Sequence, residues 1–383
     1  MKARKRIVTS GASAPTRRRP TVRRIRPAIV PVPARSPRPG SPGGPATGSV
    51  PSAGDDAGAV ATGVDLSVDL GRGLRLTTPV VLGSGAAGYG VELADALGPD
   101  GLRTIGALAT RGTTLRPRPG NPGRRIAEID GWLANAVGLA NPGVDVVLER
   151  YAPSWAGWPV PVVVNLAAES PGEFAELAGR LDGVPGVAGI ELNLSCPNAA
   201  RGGGLFALDA ASAAAATAAV RRATDLPLLV KLAAHAADPG AVARAVQEAG
   251  ADVVVAVNTL PGSHLDARRV AGGPASRTVG LSGPPLRPVA LRVVAEIARA
   301  VEVPVLAAGG IATPEHLLDA LAVGARAVVV TTAALADPAI AGRLVRDLGD
   351  ELASRGATGL ADLVGTALAR RSGPAAARAT EYR

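Results

Sequence analysis

Residues 305–332 read VLAAGGIATPEHLLDALAVGARAVVVTT, and this stretch decides the fold. It opens on a short apolar run and turns at Gly309-Gly310. An Ala/Leu-rich helical segment follows at 313–323, and a second apolar run ends on Thr331-Thr332. Two near-continuous apolar strands joined through a helix are the repeating unit of a parallel sheet covered by helices. Working outward, the unit recurs. Apolar runs lie at 80–83, 105–110, 162–166, 190–194, 228–232, 253–258, 305–308 and 328–332. Well-marked helical segments lie at 170–181, 209–223, 239–249, 286–300 and 313–323. This periodicity predicts an α/β fold, a TIM (β/α)8 barrel rather than an open doubly wound sheet. A Rossmann reading would place its Gly-rich turn at 83–90, GSGAAGYG, but no acidic residue closes a second strand about 20 residues on. Ahead of the barrel, Leu66, Val68 and Leu70 alternate as a half-buried strand would.

The chain has 383 residues and a net charge of +9, but the charge is unevenly placed. Residues 1–60 hold 12 Lys+Arg and 2 acids, with ten prolines between Pro15 and Pro51; the remainder carries 29 basic and 30 acidic residues. A disordered basic, Pro-rich tail over 1–60 is therefore expected. The barrel domain is expected over 61–369, with a frayed tail at 370–383. The barrel carries no net basic charge, so nucleic-acid binding is not expected beyond a weak contact of the tail's arginines. A single cysteine excludes a disulfide framework and a Cys-ligated zinc or iron–sulfur site within the chain. With three histidines, no metal site is expected. No run of about 18 uncharged apolar residues is present, so no membrane-spanning helix is expected and a cytoplasmic protein is.

In such a barrel the chemistry gathers at the C-terminal ends of the strands. Those ends read Ser84, Arg111, Asn165, Asn193 with Cys196, Lys231, Asn258 with Thr259, Gly309-Gly310 and Thr331-Thr332. Asparagines at three ends can read a planar ligand that has both donors and acceptors. Lys231 is the only lysine outside the tail; in a chain that otherwise uses arginine, it suggests a compact ammonium facing an electron-rich ring. Cys196, the only cysteine, sits in a turn fixed by Pro197. A glycine pair after the seventh strand, with threonines after the eighth, is a phosphate-binding arrangement.

These residues stand in stretches that resemble the class 1 dihydroorotate dehydrogenases, and the class 1B catalytic subunit most closely. The stretches are TPVVLGSG, TTLRPRPGNPGRR, NAVGLANPGVD, PVVVNLA, ELNLSCPN, VKL, VNTLPG, GLSGPP with RPVAL, and AAGGI, and they cover about residues 64–365. The resemblance implies an FMN enzyme that oxidises (S)-dihydroorotate to orotate in pyrimidine (UMP) biosynthesis. Cys196 matches the base that takes the C5 proton while C6 gives a hydride to flavin N5. Arg111, Asn135, Ala136, Val137, Gly138, Leu139, Asn193, Asn198, Asn258 and Thr259 match substrate contacts. Ser84, Arg111, Gly112, Asn165, Asn193, Lys231, Val257, Gly283, Gly309, Gly310, Thr331 and Thr332 match flavin contacts. If the chain is class 1B, a separate subunit with FAD and an iron–sulfur cluster passes electrons to NAD⁺; a homodimer or heterotetramer is implied, and fumarate is the class 1A acceptor.

Two departures from the family are Arg111, where the family has lysine, and Thr331, where it has glycine beside the phosphate-contacting threonine. They leave two alternatives open. One is another FMN-dependent dihydropyrimidine or dihydrouridine oxidoreductase on the same barrel, and the other is a non-catalytic flavin-binding homologue. His235 and His316 have no expected partner, and Trp132, Trp155 and Trp158 are expected to pack around the substrate loop.

Overall fold

The computed structural model describes residues 63–194, 203–265 and 276–371. The tail over 1–60, most of 370–383, and Cys196 and Asn198 therefore lie outside the described residues. The helix Thr366–Arg371 runs across the boundary expected between 369 and 370.

Fourteen strands are present among the described residues. A short hairpin, β1 (Val68–Asp69) and β2 (Arg75–Leu76), precedes the barrel. The barrel is β3 (Val80–Leu82), β4 (Ala107–Ala109), β7 (Val162–Leu166), β8 (Val187–Asn193), β9 (Leu228–Leu232), β10 (Val253–Ala256), β13 (Val305–Ala308) and β14 (Ala327–Val330). It closes, with β14 pairing back onto β3, and all eight pairings are parallel. Each of the eight apolar runs forms one of these strands. Seven of the strands are buried along their whole length, which is why they read as unbroken apolar runs rather than alternating ones.

The five expected helices are present at Pro171–Leu181, Ala210–Arg221, Pro239–Glu248, Arg287–Ala298 and Pro314–Ala322. Three of them share one start signal: a capping side chain followed by proline. Ser170 accepts from the N–H of Glu173, Asp238 from Ala241 and Thr313 from His316. The cap satisfies a free helix N–H, and proline costs nothing at a position with no intrahelical donor.

The periodicity does not show a second sheet. β5 (Ile126–Ile129) and β6 (Trp132–Asn135) form a hairpin inserted after β4; β11 (Leu260–Leu265) and β12 (Ser276–Ser282) form another after β10. They join as an antiparallel sheet in the order β11-β12-β6-β5. The first hairpin turns at Asp130-Gly131, both at positive φ (48° and 81°), as a tight two-residue turn requires.

Candidate active site

Strand register brings together the polar residues of the barrel mouth. Asn165 on β7 pairs with Glu191 on β8, and Asn193 on β8 pairs with Lys231 on β9. Asn165 is fully buried; its Nδ2 donates to Glu191 Oε1 at 2.5 Å. Lys231 Nζ lies 3.9 Å from the same oxygen, with 10% of its side chain exposed. One strand over, Asn258 Nδ2 donates to Asn193 Oδ1 at 3.0 Å while its own Oδ1 accepts the Thr259 N–H at 2.7 Å. The Asn258 amide is thus held at both ends. Val257 follows β10 directly and is buried.

The inserted sheet supplies the second wall. Asn135 ends β6, and its Nδ2 donates to the Gly280 carbonyl on β12 at 3.1 Å. A Cβ on Gly280 would fall 2.4 Å from Thr259 Oγ1 and 3.0 Å from Asn135 Nδ2, so the glycine is what lets these two side chains converge. The loop Ala136–Val137–Gly138–Leu139 is strapped down by two asparagines. Asn121 N–H reaches Val137 O (3.0 Å) and its Nδ2 reaches Ala136 O (2.9 Å). Asn141, itself buried, donates to Leu139 O (2.8 Å) and to Thr114 Oγ1 (2.8 Å), and accepts from the N–H of Thr114 and of Gly143. This network holds Leu139 at φ 55°, a left-handed conformation that a leucine adopts only when its surroundings impose it.

Arg111 follows β4, with its backbone N–H on Gly88 O at 2.7 Å and its side chain exposed. Together with Glu92, Pro142 and the stacked Tyr89–Tyr151 pair (centroids 4.5 Å apart), it lines a cavity of about 450 Å³. Burial raises the Tyr89 hydroxyl pKa above its ordinary value. Gly112 is buried against Asn165, whose Oδ1 would be 3.1 Å from a Cβ there. Ser84 is half-buried in the turn after β3.

At the seventh strand end the glycine pair has a reason beyond close approach of a ligand. Gly309 (φ 123°) and Gly310 (φ 74°) lie against the helix Arg287–Ala298; a Cβ on the first would meet Ala290 at 2.9 Å, and on the second Arg287 Cβ at 2.8 Å. Gly283 (φ 102°) starts the single turn Pro284–Leu286 that leads into this helix. Thr332 Oγ1 donates to Ser282 Oγ at 3.0 Å, whereas Thr331 is directed across to β3 at Gly83.

A flavin phosphate needs hydrogen-bond donors, and the seventh and eighth strand ends have them. No acceptor among the described residues takes the backbone N–H groups of Gly309, Gly310, Thr331 and Thr332. Deeper in the mouth, Asn165 Oδ1 is buried without a donor. A buried polar atom of this kind is costly unless a ligand satisfies it. Free donors at the strand ends, a free acceptor deeper in, and the Lys231 ammonium 3.9 Å from Glu191 fit a flavin and its phosphate.

The family model described as dihydroorotate dehydrogenase matches residues 67–352, most of the chain and all of the barrel. The chain belongs to the dihydroorotate dehydrogenase family. Family relatives called "Dihydroorotate dehydrogenase B (NAD(+)), catalytic subunit" share 43% identity over 301 residues in Pelobacter propionicus, covering 79% of this chain and 98% of the relative. The protein of that description from Trichlorobacter lovleyi is 42% identical over 300 residues (78% and 97% covered), and that from Desulforudis audaxviator 43% over 295 residues (77% and 95%). The fold matches a crystal structure of a dihydroorotate dehydrogenase from Eimeria tenella in complex with ferulenol, with TM-score 0.65 and 23% identity over 79% of this chain and 88% of that one.

Several expectations change. His316 has partners: its Nδ1 accepts the Ala312 N–H at 3.3 Å, and the Gly310 backbone also bonds the ring. Trp155 packs behind the turn after β3, its Nε1 donating to Tyr89 O at 3.0 Å, and Trp158 lies against Gly90. Sequence reasoning missed Glu191, a polar residue inside an apolar run, and Asn141, which lies within the quoted NAVGLANPGVD stretch but reads as a turn residue. No helix among the described residues is long and apolar enough to cross a membrane, and no group of three or more metal-ligating side chains is found among them.

Proposed function

We propose that the chain oxidises (S)-dihydroorotate to orotate, with FMN held at the barrel mouth, as the catalytic subunit of a class 1B enzyme. The observation that carries this reading is the buried, donor-less Asn165 Oδ1 beside the Glu191–Lys231 pair, in a chain of this family. Gly309, Gly310 and Thr332 hold the phosphate by backbone N–H groups, and Ser84, Gly112, Asn165, Lys231, Val257 and Gly283 border the ring. FMN, when bound, supplies the acceptor for the hydride leaving C6 of the substrate. Lys231 presents positive charge to that ring in a water-poor site, where it acts more strongly than in solution. Arg111 holds the substrate carboxylate. Asn135, Asn193, Asn198, Asn258, Thr259 and the backbone of 136–139 hold the amide edges of the dihydropyrimidine. The Cys196 thiolate takes the C5 proton. An ordinary thiol has a pKa of about 8.5, so the rate rises toward mildly alkaline pH.

The single cysteine cannot bind a cluster, so electrons bound for NAD⁺ leave through a separate subunit carrying FAD and an iron–sulfur centre. The reading places the protein in the cytoplasm.

The test is anaerobic. Dihydroorotate added to the flavin-loaded protein bleaches the visible flavin band, and Cys196→Ala abolishes the bleaching while keeping the flavin. A flavin spectrum that dihydroorotate leaves unchanged in the wild-type protein overturns the substrate, and protein that takes up no FMN overturns the whole reading.

A further inference from the structure

Glu191 is the one carboxylate buried among the described residues, at 2% exposure. It lies on β8 beneath the mouth, and no step of the proposed reaction uses it. Its Oε1 faces both Asn165 Nδ2 at 2.5 Å and Lys231 Nζ at 3.9 Å. An ionised carboxylate can only accept hydrogen bonds. Turning the Asn165 amide over would set its oxygen against the carboxylate oxygen, so the amide is fixed with Nδ2 inward. Oδ1 is therefore committed as an acceptor, and it is the buried atom without a donor. A buried ion pair is seldom more stable than an apolar pair of the same volume, so its presence at the mouth calls for another account.

We propose that Glu191 is a positioning residue for the flavin: it fixes Asn165 to offer an acceptor to a ring N–H, and it offsets part of the Lys231 charge that faces the ring. The inference rests on the reading that the mouth holds FMN. It defines the chemistry of the ligand edge at Asn165, which is an N–H and not a carbonyl. It also makes the pair, rather than a lone ammonium, set how strongly the site favours reduced flavin.

The experiment measures flavin midpoint potential and sulfite affinity in the flavin-loaded wild type, in Glu191→Gln, and in the double variant Asn165→Asp/Glu191→Gln. Glutamine keeps the volume but carries no charge and can present either end to Asn165. With the Lys231 charge no longer offset, Glu191→Gln shifts the two-electron equilibrium about tenfold toward reduced flavin, about 30 mV more positive, and tightens sulfite binding. The double variant returns a negative charge to the pair with donor and acceptor exchanged, and brings the potential back toward wild type. A purely structural role for Glu191 moves neither quantity; flavin-loaded Glu191→Gln with unchanged potential overturns the inference. If Glu191→Gln does not fold, a double variant that folds and holds flavin supports the pairing, and one that also fails overturns it. Wild-type protein without flavin overturns the proposed function and this inference with it, whereas unmoved variants on flavin-loaded wild type overturn this inference alone.

Discussion

The Thr331 side chain occupies the space that a side chain on Gly83 would need. A Cβ on Gly83 would fall 2.2 Å from Thr331 Oγ1 and 2.6 Å from Val329 Cγ1. The two residues end neighbouring strands, β14 and β3, with Gly83 N–H on Val330 O at 2.9 Å. The Thr331 hydroxyl turns across the barrel seam into the room that Gly83 leaves. Gly83→Ala should therefore cost about 1–3 kcal/mol by overpacking. Thr331→Gly in the same chain should return part of that loss, with Val329 keeping the rest. Denaturant unfolding of the two single variants and the double measures it. Strict additivity would show that the two side chains do not compete.

A second prediction concerns the opposite end of the barrel. Asp252, just ahead of β10, accepts from Arg221 Nη1 (3.0 Å), from the Leu228 N–H (2.8 Å) and from Arg72 Nε (2.9 Å). Arg72 lies on the β1–β2 hairpin and is 41% exposed, so solvent screens that bond and it contributes little. Arg221 and Asp252 are each only 16% exposed. Asp252→Ala should lower stability by about 2–3 kcal/mol, since it leaves a guanidinium and a strand N–H without their charged acceptor. FMN affinity should be unchanged, because the site is at the other ends of the strands. Loss of flavin binding at unaltered stability would contradict this.

The barrel was legible because its strands are buried on every side, so apolar runs and helical segments alternate without interruption. The places of Gly309-Gly310 and the asparagines at the barrel mouth were legible because they fall at strand ends. The inserted sheet was not, because β11 (Leu260–Leu265) and β12 (Ser276–Ser282) are short on apolar alternation and contain Pro261, Gly262 and Gly280. Its one local signal was the Asp130-Gly131 turn between two four-residue strands. Glu191 was hidden because a charged residue in a strand reads as outward-facing, and only the register of β7 against β8 shows it pointing at Asn165. The role of Gly309 and Gly310 was half-legible: their position reads as a phosphate cradle, while the packing of Ala290 and Arg287 against them is visible only in three dimensions.

Arg111 gives a kinetic prediction. Its exposed guanidinium meets no carboxylate among the described residues and is free to take one from the substrate. Arg111→Gln should raise KM for dihydroorotate about tenfold to a hundredfold, the worth of a hydrogen bond to a charged group. Arg111→Lys should stay within about threefold, with a point charge in place of the fork. Steady-state rates at saturating and limiting substrate separate the effects. A fall in kcat with KM unchanged would place Arg111 against the flavin instead.

His316 gives a pH prediction. Its pKa lies below the usual histidine value, chiefly because burial disfavours the charged ring and secondly because Arg287 lies nearby; Gly310, Asp319 and Glu315 oppose this in part. Above about pH 6.5 the ring is neutral both folded and unfolded and contributes nothing to the pH dependence. As the pH falls below that value the unfolded chain takes up the proton first, so stability declines until the folded pKa is passed and is flat beyond it. Protonation also removes the Nδ1 lone pair that accepts the Ala312 N–H. His316→Gln keeps an acceptor but cannot titrate, so its stability should decline less between pH 7 and pH 5 than that of the wild type. Some decline should remain, because burial lowers the His235 pKa in the same direction. Carboxylates held low, such as Asp209 by Ser212 and Asp362 by the N–H groups of Thr358 and Gly359, add their losses only at more acid pH. Chemical unfolding at pH 7, 6 and 5 reads the difference, and parallel curves for the two proteins would show that His316 titrates alike in both states.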